Sequence, residues 1–191
     1  MIQMAVFASG TGTNAQQIIR HFQFHPLIKI ALVVCNKPGA GVIEIAQKEN
    51  IPVLMIEKEK FLQGNAYTDE LNSLHINFIV LAGFLWKIPS KLTKAFPNKI
   101  INLHPALLPK YGGKGMYGHF VHEAVIAAGE KESGITIHYV DEWYDHGNII
   151  FQAYCAIDAN ETPASLAQKI HALEHKNYPA VIEKTVQTVK S

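Results

Sequence analysis

The chain has 191 residues, 48% of them hydrophobic and 17% charged, proportions that suit one α/β domain burying roughly 70% of its unfolded surface. A formal net charge of +1 offers no basic field for a nucleic acid, and no apolar run approaches the roughly 18 residues of a membrane span. Cys35 and Cys155 are the only cysteines and lie far apart, which excludes a CxxC zinc or redox motif and, with no leader-like start, points to a reducing cytoplasm.

Strand-like and helix-like segments alternate along the chain. Met4 to Ala8 is a short apolar run, and Gly10 and Gly12 turn the chain into a helix from Asn14 to Phe22, whose Ala15, Ile18, Ile19 and Phe22 share one face. Ile28 to Cys35 reads as a strand, with Cys35 as a buried free thiol. A helix from Gly41 to Asn50 and a strand from Ile51 to Ile56 come next. The sequence then predicts a helix from Asn65 to Leu74, a fully buried strand from Phe78 to Leu81, a short helix from Pro89 to Phe96 and a strand from Lys99 to Leu103. Apolar strands separated by helices indicate a parallel sheet covered on both faces. After Gly118 the pattern changes. A helix from His119 to Ala128 leads into strands at Gly134 to Val140 and Asn148 to Ile157, joined by a polar turn, and a terminal helix from Ser165 to Thr188 is predicted to break near Pro179. No repeat or linker interrupts the chain, so residues 1–191 are expected to form one domain.

Ser9-Gly-Thr-Gly-Thr-Asn14 follows a strand and opens a helix. Its glycines let backbone N–H groups approach an anion, and Thr13 and Asn14 add side-chain donors. Ala15 replaces the third glycine of a dinucleotide fingerprint, and Asn36 and Lys37 stand where an acidic ribose ligand would be, so a phosphate is favoured. Asn102 and His104 are two apart in a strand and therefore project together. An amide and an imidazole so placed can stabilise an oxygen gaining charge and move a proton. In open parallel sheets ligands sit beyond the strand carboxyl ends, the edge that also carries the Ser9 to Asn14 loop.

Asp141-Glu-Trp-Tyr-Asp145-His-Gly147 is an acidic turn: either a solvated hairpin, or a carboxylate that reaches the imidazole and raises its pKa. His171-Ala-Leu-Glu174-His175 matches H-x-x-E-H, but the short stretch beyond it supplies no convincing third zinc ligand; the expectation is no metal and a helix bordering the site. His119 and His122 are expected at the surface. Lys110 to His119 holds four glycines and is either a lid or a flexible connector. Phe84 and Trp86, after the most buried strand, either face a flat heterocycle or belong to the core.

With Leu81-Ala-Gly-Phe84, Asn102-Leu-His-Pro-Ala-Leu-Leu-Pro109 and Leu173-Glu-His-Lys-Asn-Tyr-Pro179 added in the same order, the chain resembles the phosphoribosylglycinamide formyltransferases, folate-dependent enzymes of purine biosynthesis, over essentially its whole length. The resemblance implies a Rossmann-like formyltransferase fold: an open, mostly parallel sheet with helices on both faces, a late antiparallel hairpin and a C-terminal helix. It implies a phosphoribosyl-binding half of about residues 1–100 and a catalytic, folate-binding half of about 101–191.

By that resemblance Gly12, Thr13 and Asn14 bind the phosphate of glycinamide ribonucleotide, Glu174 binds its ribose hydroxyls, and His171 occupies a position that contacts the phosphoribosyl group. Asn102, His104 and Asp145 are the catalytic set. Leu85, Trp86, Lys87, Ile88, Val140 and Asp141, with Asn102 and Asp145, hold the pterin of 10-formyltetrahydrofolate, largely through backbone groups. The donor is a co-substrate, no metal takes part, and the partners are small molecules acting on a cytoplasmic monomer or homodimer, with neither nucleic acid nor membrane. Imidazolium His104 and the Asn102 amide would stabilise the oxyanion, each such donor being worth roughly 3–4 kcal/mol. Several positions depart from the family pattern: Ala106 and Thr13 stand where Ser is usual, His171 where Gln is, and Trp86-Lys87 where Arg and an aliphatic residue are. The Gly112 to Gly118 loop is long. The same trio serves methionyl-tRNA formyltransferase and formyltetrahydrofolate deformylase, whose extra tRNA-binding and regulatory domains are not expected here. A non-enzymatic phosphate-binding module is the remaining alternative.

Overall fold

Seven strands form one sheet in a computed structural model that describes residues 1–63 and 66–188. In chain order the elements are β1 (Ile2–Ala8), α1 (Thr13–Phe22), β2 (Ile28–Cys35), α2 (Gly41–Lys48), β3 (Val53–Met55), α3 (Lys58–Gln63) and α4 (Ala66–Ser73). They continue with β4 (Phe78–Leu81), α5 (Ser90–Ala95), β5 (Ile100–His104), α6 (His119–Ala127), β6 (Glu132–Tyr139), β7 (Ile149–Ala156) and α7 (Pro163–Thr188). The spatial order is β3-β2-β1-β4-β5-β6-β7. Pairs from β3 to β5 are parallel, while β5–β6 and β6–β7 are antiparallel. The chain starts in the middle and winds outward in both directions, so a crevice opens between the carboxyl ends of β1 and β4, where ligands bind in such sheets.

Alternation along the central strands supplies two separate cores. Met4, Val6 and Ala8 of β1 point to a layer with Ile18, Phe22, Ile170 and Tyr178, whereas Ala5 and Phe7 point to one with Phe61, Leu71, Phe84 and Leu92. Residues two apart on a strand share a face, and both faces are covered by helices, so β1 and β4 read as unbroken apolar runs. Tyr178 of α7 is fully buried, and its hydroxyl donates to the Leu81 carbonyl at 2.8 Å, which fixes the long helix to the strand end beside the crevice.

Most element boundaries match the sequence expectation within a residue or two. The third strand shrinks to Val53–Met55, a short, half-exposed edge strand following Pro52. Helix α3 is an addition: its Lys-Glu-Lys start conceals the one buried anchor, Phe61. The expected helix start at Asn65 lies outside the described residues, as do 189–191 at the end of the predicted domain. The expected break at Pro179 is absent. Helix α7 runs through it, and Pro179 is buried along the same side as Glu174, Tyr178 and Ile182; packing of that side outweighs the one hydrogen bond proline removes.

Candidate active site

Two loops meet at the crevice and are tied together by Ser9, whose N–H donates to the Gly83 carbonyl at 3.1 Å while its hydroxyl accepts from the Leu85 N–H at 3.0 Å. Gly12 sits at the start of α1 with φ +82°, and a Cβ built there would lie 2.8 Å from the Val42 Cα. Only glycine fits, because the left-handed backbone and the wall of α2 both exclude a side chain. No side chain caps α1 and its first turn holds no acidic residue, so its free N–H groups keep the positive end of the helix open to an anion. Asn14 donates from Nδ2 to Glu174 Oε2 at 2.8 Å, leaving its own Oδ1 buried without a partner. Burial raises the Glu174 carboxyl above its ordinary value, with Asn14 and His171 pulling the other way. Beside it His171 stacks nearly parallel to His175, with ring centres 6.4 Å apart. His171 and Glu174 of the helical H-x-x-E-H residues thus line the same cavity as the anion loop, and among the described residues no group of three or more His, Cys, Asp or Glu is arranged to hold a metal.

A cavity of about 510 Å³ runs from this loop to the end of β5, past Asn102, His104 and Asp145. Asn102 Nδ2 lies 3.5 Å from Asp145 Oδ1, and His104 Nδ1 lies 3.6 Å from Asp145 Oδ2. The acidic turn therefore does reach the imidazole. The other ring nitrogen, His104 Nε2, is 2.7 Å from the Tyr111 carbonyl. A carbonyl only accepts, so Nε2 carries the hydrogen and a neutral ring leaves Nδ1 bare toward Asp145.

The surroundings pull the imidazole away from the charged form. Burial lowers the His104 pKa and outweighs the upward pull of Asp145 and the Tyr111 carbonyl, so the ring is neutral at pH 7. For Asp145 burial works upward, but the polar surroundings, with the Gly113 N–H donating to Oδ2 at 2.9 Å, prevail and keep the carboxyl below its ordinary value. The pair is a neutral imidazole beside a carboxylate, poised to take up a proton.

Four groups at the site are additions to the sequence expectation. His138 of β6 pairs directly with Asn102 across the antiparallel ladder. Its Nδ1 lies 2.8 Å from the Tyr139 carbonyl, so its bare Nε2 accepts from Asn102 Nδ2 at 3.2 Å. This fixes the amide with its nitrogen toward His138 and Asp145. The Tyr111 carbonyl and Gly113 N–H come from the glycine-rich segment, which is bonded to both His104 and Asp145 here. His122, expected at the surface, is instead 3% exposed and lines the cavity. The spacing of Val121, His122 and Val125, all buried on α6, is the signal that reveals it.

The pterin-binding residues expected around β4 and the acidic turn line the same cavity: Leu85, Trp86, Lys87, Ile88, Val140 and Asp141. Phe84 and Trp86 serve as both wall and core, packing edge-on to each other at 6.2 Å and against Phe61. Lys87 Nζ stands 5.6 Å from the Trp143 ring centre, a cation–π distance. The N–H groups of Leu85 and Val140 are already bonded to the Ser9 hydroxyl and to the Ile100 carbonyl, which leaves this wall fewer free backbone donors than expected.

Residues 2–182 match the model of the formyl transferase family. A chloroplastic phosphoribosylglycinamide formyltransferase of Arabidopsis thaliana is 41% identical over 94% of the chain, and the Bacillus subtilis phosphoribosylglycinamide formyltransferase is 39% identical over 96% of it. The chain spans 64% of the length of the Arabidopsis protein and 94% of the Bacillus one. Among solved structures, the phosphoribosylglycinamide formyltransferase of Anaplasma phagocytophilum superposes with a TM-score of 0.88 at 32% identity, over 98% of this chain and 88% of that one. The Bacillus halodurans enzyme gives 0.86 at 37% identity, over 95% and 94%. Sheet order, cavity and relatives agree: the chain belongs to the formyl transferase family, among the phosphoribosylglycinamide formyltransferases.

Proposed function

We propose that the chain transfers the formyl group of 10-formyltetrahydrofolate to the primary amine of glycinamide ribonucleotide, giving formylglycinamide ribonucleotide and tetrahydrofolate. One observation carries this: a single cavity joins a glycine-built anion cradle at Gly10–Asn14, a buried carboxylate at Glu174, and the Asn102–His104–Asp145 group. The phosphate occupies the open end of α1 and Glu174 accepts from the ribose hydroxyls. The donor's flat heterocycle lies against the wall carrying Trp86, Ile88 and Val140.

The amine attacks the formyl carbon, the bond from that carbon to the folate nitrogen breaks, and one proton passes from the amine to the departing nitrogen. Asn102 Nδ2 keeps its hydrogen bond to His138 Nε2 and turns its other hydrogen from the long 3.5 Å contact with Asp145 to the formyl oxygen as charge collects there. A preorganised donor of this kind is worth roughly 3–4 kcal/mol. His104 enters neutral, so its bare Nδ1 takes the proton and Asp145, 3.6 Å away, stabilises the imidazolium until the proton is passed on. Phosphoribosyl binding then belongs to the first half of the sheet with Glu174 of α7, and chemistry to the second half. Small-molecule partners and a cytoplasmic setting suit this role, and the described residues contain no helix long and apolar enough to cross a membrane.

Mass spectrometry of a reaction containing both substrates tests the assignment. The acceptor gains one formyl group and tetrahydrofolate appears in equal amount. Tetrahydrofolate released at the same rate without the ribonucleotide identifies a hydrolase instead.

A further inference from the structure

His122 is a buried polar side chain that the mechanism above leaves unused. Its Nδ1 is closed off from solvent without a hydrogen-bond partner, and no described residue bonds its Nε2. An unpaired buried polar group is costly, and a core helix position filled only for packing would favour an apolar residue. The ring lines the cavity wall on α6, and His171, His104 and His119 are its electrostatic neighbours. It shares one cavity with both the reacting pair and the phosphoribosyl end.

A ligand with its phosphate at Gly10–Asn14 and its amine at Asn102 and His104 must lay the intervening atoms past this ring. In glycinamide ribonucleotide those atoms are the ribose and then the glycyl amide, the amide lying on the amine's side. We propose that His122 is an acceptor-binding residue whose imidazole hydrogen-bonds the glycyl amide of the ribonucleotide and sets the reach of the amine. Burial, helped by the neighbouring imidazoles, lowers its pKa to about 4. A neutral ring carries one donor and one acceptor nitrogen and so matches an amide, which offers both. This assignment rests on the acceptor proposed above.

The test compares the parent with His122→Phe, which keeps the ring shape without polar atoms, and His122→Asn, which restores one donor and one acceptor. Calorimetric affinities are measured for glycinamide ribonucleotide and for ribose 5-phosphate, which lacks the amide, together with the KM for each co-substrate. His122→Phe is expected to bind the ribonucleotide about tenfold more weakly, the loss of one hydrogen bond. Ribose 5-phosphate affinity and the KM for the folate stay unchanged, and His122→Asn recovers part of the loss. Equal loss for both ligands, or none, assigns His122 to structure alone and overturns the proposal while leaving formyl transfer intact. If His122→Phe does not fold, His122→Asn decides alone, by whether it shifts the ribonucleotide affinity relative to ribose 5-phosphate. A parent that binds ribose 5-phosphate but neither prefers nor formylates the ribonucleotide overturns the acceptor itself.

Discussion

Burial and charge compete over His104, and the outcome decides what the residue can do. The ring lies 3.6 Å from Asp145, yet its pKa falls because burial costs the charged form more than the carboxylate returns. Asp145 then matters only once a proton has arrived. Asp145→Asn is expected to keep both substrate affinities within about twofold and to lower kcat by two to four orders of magnitude, the range for a lost acid–base partner; stopped-flow turnover alongside calorimetry separates the two. Unchanged turnover removes Asp145 from the mechanism. His122 allows a check on stability. Its folded value of about 4 lies below the ordinary 6.5, so its contribution is complete above pH 6.5 and is lost as pH falls toward 4. The parent should lose roughly 3 kcal/mol more than His122→Phe between pH 7 and pH 4, read from urea unfolding at each pH. The placement of Asn102 and His104 together at the cavity was legible from spacing two apart at a strand end. The imidazole's resting state was not, since it depends on a balance between burial and a carboxylate that only the folded site sets.

Single positions set the geometry of whole elements. Gly12 gives α1 its entry angle, with φ +82° and no room before Val42. Gly12→Ala is expected to cost about 1–2 kcal/mol of backbone strain and to weaken ribonucleotide binding more than tenfold by calorimetry, with folate affinity unchanged. Tyr178 joins α7 to the end of β4 through the Leu81 carbonyl at 2.8 Å. Tyr178→Phe leaves that carbonyl short of a buried donor, so stability should drop by about 1–2 kcal/mol in denaturant titration. Helix α1 was readable because Ala15, Ile18, Ile19 and Phe22 repeat at helical spacing. Helix α3 was not, because one buried Phe61 among lysines and glutamate carries no period. His138 escaped notice for another reason: its place beside Asn102 depends on the register of two antiparallel strands, which no local pattern encodes. His122 was discernible from Val121 and Val125 on the same helix face, once that face was counted as buried.

At the scale of the molecule, the sheet brings together loops from both halves of the chain at its central crevice. Alternation of polar and apolar segments was enough to predict the doubly covered sheet and its late hairpin. The linking of Asn14 to Glu174, 160 positions apart at 2.8 Å, emerges only when α7 folds back over β1. If both substrates occupy the one cavity built from both halves, as proposed, each should stabilise the whole fold. At a hundredfold excess over Kd the ribonucleotide is expected to add about 2.7 kcal/mol, a rise in Tm of roughly 5–10 °C for a chain of this size, measured by scanning calorimetry. The most direct test of the central claim is a spectroscopic assay of tetrahydrofolate release from 10-formyltetrahydrofolate, with and without glycinamide ribonucleotide, on the parent and His104→Ala. Release that requires the ribonucleotide and collapses in His104→Ala, while the variant still binds both ligands, is the predicted result. Release independent of the ribonucleotide, or undiminished in His104→Ala, would contradict formyl transfer at this site.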